Sequence, residues 1–286
     1  MNKIELKDVS FAYHPGTPFQ TRALDRVTVG FEADAITGLI GHTGCGKSTL
    51  VQLLNGLLSP TEGQVLLDGK SVNDKGTDKR DLRFRVGLVF QYPEYQLFEE
   101  TVYEDIAFGP KNMGLTKEEI DRRVKEAAEF VGIGESYFQS SPFDLSGGQK
   151  RRVAIAGILA MDPEVLVLDE PAAGLDPGGR REILGRIRDY QRTSGSSVIL
   201  VSHSMEDMAR YADRIVVMDH GRIDLVGSCS EVFSRPDDLR SAGLDVPQIT
   251  RLFLRLREKG ADVPTDIFTV EQARTALLSI MEGRHV

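Results

Sequence analysis

Residues 41–49 read Gly41-His42-Thr43-Gly44-Cys45-Gly46-Lys47-Ser48-Thr49, and this stretch decides the fold. It follows a short apolar run at 35–40 and precedes residues 50–54, whose apolar positions have helical spacing. A strand, a glycine-rich loop with the pattern G-x-x-x-x-G-K-[ST] and a helix, in this order, predict a phosphate-binding loop. The alternative is a glycine-rich turn that stands beside a lysine by chance. The combined pattern favours a site for a nucleoside triphosphate.

The chemistry of a polyphosphate accounts for these residue types. Glycine residues let backbone N–H groups point inward without a Cβ in the way, and the helix that starts near Lys47 adds the positive end of its dipole. We expect Lys47 to reach the β- and γ-phosphates and the Ser48 hydroxyl to bind Mg²⁺. The predicted nucleotide-binding residues of the loop are Gly41, His42, Thr43, Gly44, Cys45, Gly46, Lys47, Ser48 and Thr49.

Composition limits the classes of protein to consider. The chain has 286 residues, 41% of them hydrophobic, so it can bury a large core, and its net charge of −8 argues against the basic face of a nucleic-acid-binding protein. Its two cysteines, Cys45 and Cys229, lack metal-ligand spacing and fit a reducing cytoplasm. Residues 1–6 lack the apolar core of a signal peptide, and no apolar run approaches the roughly 18 residues of a membrane span. A role at a membrane would therefore need a partner that supplies the span.

Three segments around the loop alternate in the manner of strands with one buried face. They are residues 4–13, with a slip near Val9, residues 27–31 and residues 64–67. We expect them to form a small antiparallel layer beside the phosphate loop. Tyr13, at the end of the first of these strands, either stacks on a purine base or packs in the core.

Runs of consecutive apolar residues predict the main α/β core, because a parallel strand covered on both faces is apolar throughout. Ligands of such sheets bind beyond the carboxyl ends of the strands. The predicted elements are strands at 85–90, 165–170 and 197–201, a helix from Asp176 to about 193, and a closing hairpin over 214–226.

Polar residues follow these strands. We expect Asp169 to hold Mg²⁺ through its water shell and the adjacent Glu170 to act as general base for the attacking water. An exposed acidic turn is the alternative interpretation. Gln91 would reach Mg²⁺ or the attacking water, and His203 would contact the γ-phosphate or serve a structural role.

Residues 92–161 predict a mainly helical insertion. One helix is capped by Thr116 and runs to about Val131, with Glu119 completing a capping box. Within the insertion, the segment 92–111 combines aromatic and acidic side chains. These form either one helix with a buried face or a docking groove for a basic partner segment.

The chain is predicted to divide near residue 228. We expect an ATPase cassette over 1–228, followed by an appended small α/β domain over 229–286 with a role in dimerisation. After residue 229 the pattern changes to short helices, separated by Pro236, Pro247 and Pro264.

The order of these motifs resembles that of the ATPase subunits of ABC transporters over about residues 3–228. Leu145-Ser146-Gly147-Gly148-Gln149 matches the defining signature of that family, and Gly174-Leu175-Asp176 matches a further motif. The resemblance implies that two cassettes meet head to tail. It also implies that Ser146, Gly147 and Gly148 act on the ATP held by the partner's loop. Gln149 and Asp176 are further nucleotide-site residues that it implies.

A narrower resemblance is to the ATPases of energy-coupling factor importers, which take up vitamins, cobalt or nickel. It rests on residues 13–19, 91–98, 108–112 and 176–180, and it is greatest for the A-prime subunit. The resemblance implies a peripheral protein at the cytoplasmic face of the cell membrane. The implied partners are a sister ATPase, a transmembrane coupling protein that docks near 92–111, and a small substrate-capturing membrane protein. Cys45 stands where serine is common, which predicts sensitivity to thiol reagents.

Other functions are weighed against this one. The nearest alternative is the ATPase of a conventional ABC importer, which the narrower motifs disfavour. A soluble ABC ATPase acting on nucleic acid or ribosomes usually carries coiled coils, a zinc insertion or tandem cassettes, which this sequence lacks. A small-molecule kinase has no use for the stretch Leu145–Gln149.

Overall fold

A computed structural model describes residues 1–74 and 76–282 of the chain. Its strands form two sheets, one antiparallel with the order β2-β1-β4-β5 and one mixed with the order β10-β9-β3-β8-β7-β6. In the mixed sheet, β10 is antiparallel to β9 and the other five strands are parallel. The strands are β1 Asn2–Tyr13, β2 Thr21–Glu32, β3 Ile36–Gly41, β4 Glu62–Leu67, β5 Lys70–Ser71, β6 Val86–Val89, β7 Val165–Asp169, β8 Ser197–Val201, β9 Arg214–Asp219 and β10 Arg222–Ser228.

Helices connect these strands, and none in the described residues is long and apolar enough to cross a membrane. Three short 3₁₀ segments occur at Pro93–Gln96, Glu135–Tyr137 and Pro142–Asp144. The α-helices are α1 Lys47–Leu54, α2 Lys79–Arg85, α3 Val102–Asn112, α4 Lys117–Val131, α5 Gly147–Leu159, α6 Pro177–Ser194, α7 Met205–Tyr211, α8 Cys229–Phe233, α9 Pro236–Ser241, α10 Gln248–Glu258 and α11 Val270–Met281.

Strands β3, β6, β7 and β8 of the mixed sheet are buried along their whole length. Their side chains alternate between two cores. In β7, Leu166 and Leu168 enter the core on the helical side, whereas Val165 and Val167 enter the core shared with the antiparallel sheet. Each such side chain contributes about 1.5–3 kcal/mol by leaving water. The prediction of a doubly covered parallel sheet is confirmed.

The antiparallel layer is also confirmed, with corrections to its details. The register of β1 against β2 shifts between Leu6 and Val9, as the sequence predicts. Strand β2 begins at Thr21, earlier than predicted, because its first residues pair with the end of β1. Helix α2 was not predicted; Asp78 caps it, and Arg85 ends this helix instead of starting β6.

Helices α3, α4 and α5 lie between β6 and β7, which agrees with the predicted helical insertion. The hydroxyl of Thr116 accepts the N–H of Glu119 at 3.3 Å, but no reciprocal bond completes the predicted capping box. The Glu119 carboxylate instead binds Arg122 and Arg123. A complete capping box does occur at Ser146, the N-cap of α5.

The described residues after 228 form helices only, so the predicted α/β character of the appendage is wrong. Prolines at 236, 247 and 264 interrupt the segment, and strands are disfavoured there because proline lacks the N–H that a sheet requires. Val232 and Phe233 of α8 join the core on the helical side of the sheet, while Phe253 and neighbours form a small core of their own. The boundary at 228 stays a prediction, and residues 283–286 lie outside the described part.

Candidate functional site

The loop between β3 and α1 has the backbone of an anion cradle. Gly44 and Gly46 have φ angles of 83° and 108°, which L side chains rarely adopt. A Cβ on Gly46 would also lie 2.6 Å from the carbonyl oxygen of Ala23. The buried Lys47 ammonium donates to the carbonyl oxygens of Gly41 at 2.7 Å and of His42 at 2.9 Å. The loop therefore brings a cation and a helix N-terminus to one concave turn.

Ser48 and Asp169 meet at the mouth of this loop. The Ser48 hydroxyl donates to Asp169 Oδ2 at 3.2 Å, joining the first turn of α1 to the last residue of β7. Burial raises the pKa of Asp169, while the Ser48 hydroxyl and the charge of Lys47 act in the opposite direction. A hydroxyl and a carboxylate are the hard oxygen ligands that Mg²⁺ prefers, so these two residues fit the predicted ion.

Glu170 lies directly beside this pair in a strained conformation. Its φ angle is 52°, and its N–H donates to the carbonyl oxygen of Val201 at 3.1 Å. Burial, followed by the charge of Asp169, raises the pKa of Glu170 to about 7. A carboxylate with a pKa near the working pH is suited to accept a proton from water.

His203 follows β8 and lies next to Glu170. Its Nε2 is 3.3 Å from Glu170 Oε1 but is not aligned as a hydrogen bond, so Oε1 has no hydrogen-bond donor among the described residues. Burial and the charge of Lys47 lower the pKa of His203. The structure therefore gathers Lys47, Ser48, Asp169, Glu170 and His203 at one end of the parallel sheet, as the sequence predicts.

Gln91 lies two residues beyond the end of β6 with an exposed side chain. Within the described residues, no hydrogen bond joins it to Ser48 or Asp169. Its neighbour Tyr92 has a φ angle of 56°, so the chain turns sharply at this point. A role for Gln91 towards Mg²⁺ or the attacking water stays a prediction.

Tyr13 contacts the phosphate-binding helix through its hydroxyl. The Tyr13 and Thr49 hydroxyl oxygens are 3.1 Å apart, and the Tyr13 ring meets Phe11 edge to face with centroids 4.9 Å apart. The ring remains 38% exposed, so it is not a core residue. Stacking on a base stays a prediction, and the exposed ring is compatible with it.

Thr43 of the loop is exposed to solvent, whereas the side chain of Cys45 is buried and that of His42 is partly buried. Cys45 is only 1% exposed, and burial raises the pKa of its thiol. Both facts argue against the predicted sensitivity to thiol reagents, because the reactive thiolate forms less readily. His42 turns its ring towards Asp219 and not towards the mouth of the loop.

The signature residues lie at the exposed start of α5. The Ser146 hydroxyl accepts the N–H of Gln149 at 3.4 Å, and Gln149 Oε1 accepts the N–H of Ser146 at 3.0 Å. Gly147 and Gly148 have open space where a Cβ would stand, so nothing in the described chain requires glycine there. Asp176 caps α6, accepting the N–H groups of Gly178 and Gly179. Contacts of these residues with nucleotide stay predictions.

Sequence reasoning missed Arg180, whose positive charge opposes the rise in the pKa of Glu170. It lies on the first turns of α6 and pairs with Asp207 at a distance of 2.6 Å. The predicted N-cap Asp176 is a signal that could have found Arg180. Arg180 is four residues after this cap, so it lies one helical turn from Asp176 on the same face of α6.

Three acidic side chains of the segment 92–111 are bonded within the chain. Glu94 is paired with Arg151 at 2.7 Å, Asp105 is buried and accepts the N–H of Phe98 at 3.2 Å, and Glu104 is paired with Lys111. What remains exposed is mainly aromatic. We define the aromatic patch as Tyr92, Tyr95, Phe98 and Phe108, and the rings of Phe98 and Phe108 are perpendicular with centroids 4.9 Å apart.

Comparison with known proteins agrees with this geometry. The ABC transporter family matches residues 24–173. The energy-coupling factor transporter ATP-binding protein EcfA2 of Caldanaerobacter subterraneus subsp. tengcongensis is 53% identical over 280 residues, covering 98% of each chain. The protein of that name from Clostridium perfringens is 52% identical over 283 residues, covering 99% of each chain.

Solved structures agree as well. The structure of cbiO1 from Clostridium perfringens, described as part of the ABC transporter complex cbiONQ, has 38% identity and a TM-score of 0.75 over 88% of this chain and 98% of that one. The dimeric cassette MJ0796, in a post-hydrolysis state bound to ADP and Pi, has 28% identity and a TM-score of 0.71 over 79% of this chain and 98% of that one. The phosphate-binding loop, the Ser48–Asp169 contact and these similarities lead to one conclusion: the chain belongs to the ABC transporter family, among the ATP-binding proteins of energy-coupling factor transporters.

Proposed function

We propose that this chain is the ATP-hydrolysing motor subunit of an energy-coupling factor importer for vitamins or transition-metal ions. The observation that carries the proposal is the contact of Ser48 with Asp169 beside the buried Glu170. It joins a phosphate-binding loop, a donor set for Mg²⁺ and a carboxylate of raised pKa. The sequence relatives support placing this hydrolysis at the cytoplasmic face of a membrane.

Each residue has a distinct part in the proposed reaction. The loop N–H groups and Lys47 hold the β- and γ-phosphates, and the Tyr13 ring stacks on the base. Ser48 and Asp169 would hold Mg²⁺, and the bound ion would supply positive charge that offsets the charge developing on the phosphates. Glu170 accepts the proton of the attacking water, and His203 lies close enough to orient the γ-phosphate.

The second half of the site comes from another cassette in this proposal. Ser146, Gly147 and Gly148 are exposed at the start of α5. The N–H groups at a helix start can bind an anion, and no anionic group of this chain occupies that place among the described residues. A sister ATPase arranged head to tail would bring its nucleotide to these residues. ATP then stabilises the closed dimer, because it binds both subunits at once.

The aromatic patch is the proposed docking surface for the transmembrane coupling protein. Exposed aromatic side chains that lie together are typical of binding sites, since each buries a large area at low entropic cost. Because three of the five nearby acids are already bonded within the chain, we expect the docked helices to contribute apolar side chains more than arginines. A small membrane protein that captures substrate completes the proposed complex.

The test of the catalytic assignment is Glu170→Gln. We expect the variant to bind ATP and accumulate as a closed dimer while turnover falls by at least about 100-fold, since a general base contributes that much. Glu118→Gln, at an exposed position on the first turn of α4, is the matched control and should hydrolyse ATP normally. Normal turnover in Glu170→Gln would assign the base elsewhere.

The test of the complex is mass spectrometry of proteins that co-purify with the tagged chain from detergent-solubilised native membranes. A second ATPase, a multi-span protein and a small membrane protein are expected. Phe98→Ser should lose the multi-span protein, whereas Phe19→Ser, at an exposed phenylalanine outside the patch, should retain it. Recovery of the tagged chain alone or with ribosomes would contradict the importer while leaving the ATPase chemistry intact.

A further inference from the structure

A second group of polar side chains lies on the other side of the phosphate loop from Ser48 and Asp169. Strands β3 and β9 are parallel neighbours, and Gly41 is paired with Met218. The residues that follow this pair, His42 and Asp219, therefore come together, and His220 joins them from the turn between β9 and β10. One ligand atom from each of these three side chains lies within 4.8 Å of the others.

One carboxylate oxygen is shared by both imidazole rings. Asp219 Oδ1 lies 3.1 Å from His42 Nε2 and 2.7 Å from His220 Nδ1. The two rings are inclined at 54° with centroids 4.9 Å apart, so their nitrogens converge on this oxygen without the rings stacking. Two imidazole nitrogens and a carboxylate oxygen around one point form the donor set of many zinc sites.

The hydrogen bond of His42 fixes which of its nitrogens is free. Nδ1 lies 2.8 Å from the carbonyl oxygen of Thr43, which can only accept, so Nδ1 carries the hydrogen. In the neutral ring, Nε2 then has a lone pair directed at the carboxylate of Asp219. Nε2 is also buried and makes no hydrogen bond. Two facing acceptors repel each other unless a cation lies between them.

The neighbouring cations are already engaged elsewhere. Arg22 and Arg222 both pair with Asp25, and Lys47 is held by the carbonyl oxygens of Gly41 and His42. In the described part of the chain, the Asp219 carboxylate therefore has only the two histidines as ionic partners. The cluster has the negative charge that a divalent ion requires and no lysine or arginine that would occupy its place.

We propose that His42 Nε2, Asp219 Oδ1 and His220 Nδ1 bind one divalent transition-metal ion of the Zn²⁺ class, with a fourth position open to water. Ligands of a tetrahedral zinc ion lie roughly 3.3 Å apart, close to the 3.1 Å between His42 and Asp219. His220 Nδ1, which is hydrogen-bonded to Asp219 Oδ1 at 2.7 Å, would exchange this bond for the ion and move outward slightly. The Thr43 carbonyl orients His42 from outside, as such partners usually do for a metal-binding histidine.

Nitrogen ligands distinguish this site from the all-oxygen Mg²⁺ site at Ser48 and Asp169. A bound ion would tie the phosphate loop to the turn after β9 and so stabilise the loop. The proposal does not depend on the transport function.

The test is titration of the full chain with Zn²⁺, after treatment with a chelator and in the presence of millimolar Mg²⁺. We expect one ion per chain at micromolar affinity or better, a rise of a few degrees in melting temperature, and the intense visible absorption of four-coordinate Co²⁺ when cobalt replaces zinc. His220→Asn should weaken binding at least about tenfold. Asparagine suits this position, because it tolerates the φ angle of 42° at His220.

The matched control is His14→Asn, at an exposed histidine with a φ angle of 50° that lies outside the cluster. It should bind Zn²⁺ like the unmodified chain. Absence of saturable Zn²⁺ binding would overturn the proposal. So would an unchanged affinity in His220→Asn, or an equal loss in the control.

Discussion

The hydroxyl of Ser48 donates a hydrogen bond to the carboxylate of Asp169 at 3.2 Å, although 121 positions separate the two residues in the sequence. The contact exists because β3, which leads into the phosphate loop, is separated from β7 only by β8 in the sheet. Parallel strands end on the same edge, so residues that follow them meet there. This contact links the phosphate-binding loop to the acidic residues that we propose for hydrolysis.

Asp169→Asn removes the negative charge of this pair while keeping its size. We expect Mg²⁺-dependent ATP hydrolysis to fall by about 10- to 100-fold, with the melting temperature nearly unchanged, since the amide can still accept from Ser48. Asp189→Asn, at an exposed position of α6, is the control and should have normal activity. An unchanged Mg²⁺ requirement in Asp169→Asn would contradict the assignment of Asp169.

Arg151→Met breaks a buried ion pair. The side chains of Arg151 and Glu94 are 5% and 15% exposed, and Arg151 also donates to the carbonyl oxygen of Ala173. Because the substitution leaves a buried carboxylate without a partner, the free energy of unfolding should fall by about 3 kcal/mol. Urea denaturation of the variant and of the unmodified chain measures this change in the free energy of unfolding.

The neighbouring Arg152 provides the comparison for that measurement. Its pair with Glu182 is more exposed, so Arg152→Met should cost less than about 1 kcal/mol. Equal losses in the two variants would show that burial does not strengthen the Arg151 pair.

Glu164 should contribute to the free energy of unfolding at neutral pH and lose this contribution in acid. Hydrogen bonds from Arg85, together with those from Lys3, lower the pKa of this carboxyl from 4.5 to about 2. A depressed pKa in the folded state stabilises it above pH 4.5, and this contribution is lost as the pH falls towards 2. Since the side chain is 39% exposed, we expect only about 1 kcal/mol.

Unfolding free energies of the unmodified chain and of Glu164→Gln between pH 6 and pH 2.5 measure this component. The variant should lose less stability over that interval, whereas Glu118→Gln should follow the unmodified chain. Parallel curves for Glu164→Gln and the unmodified chain would exclude the contribution.

Two glycine-to-alanine substitutions should have opposite effects. Gly46→Ala places a Cβ 2.6 Å from the carbonyl oxygen of Ala23 at a φ angle of 108°, so it should destabilise the chain and abolish ATP binding. Gly185→Ala, in the interior of α6 with open space around it, should stabilise the chain by about 0.5–1 kcal/mol. Thermal unfolding and ATP binding distinguish the two, and ATP binding by Gly46→Ala would contradict the close approach at the loop.

Local patterns explain why much of the fold could be predicted. The phosphate loop, the N-caps at Thr116 and Asp176, and the buried strand β7 depend on neighbours a few residues away in the sequence. Helix α2 was missed because its residues Lys79–Arg85 are mostly charged and show little apolar periodicity. The α/β class predicted for the appendage was wrong, because its described residues pack as helices around Phe253 and on the main core.

The sequence by itself determined the order of strand, loop and helix around Lys47, the residue types of the nucleotide site and the family to which the chain belongs. The tertiary structure decided which charges meet. It paired Glu94 with Arg151 and left mainly aromatic side chains exposed in the segment 92–111, where the sequence shows aromatic and acidic residues together. It also buried Glu170 beside Asp169 and brought His42 to Asp219. The physical reason is that burial and Coulomb interactions depend on distances in space, and the order of strands in the sheet sets these distances.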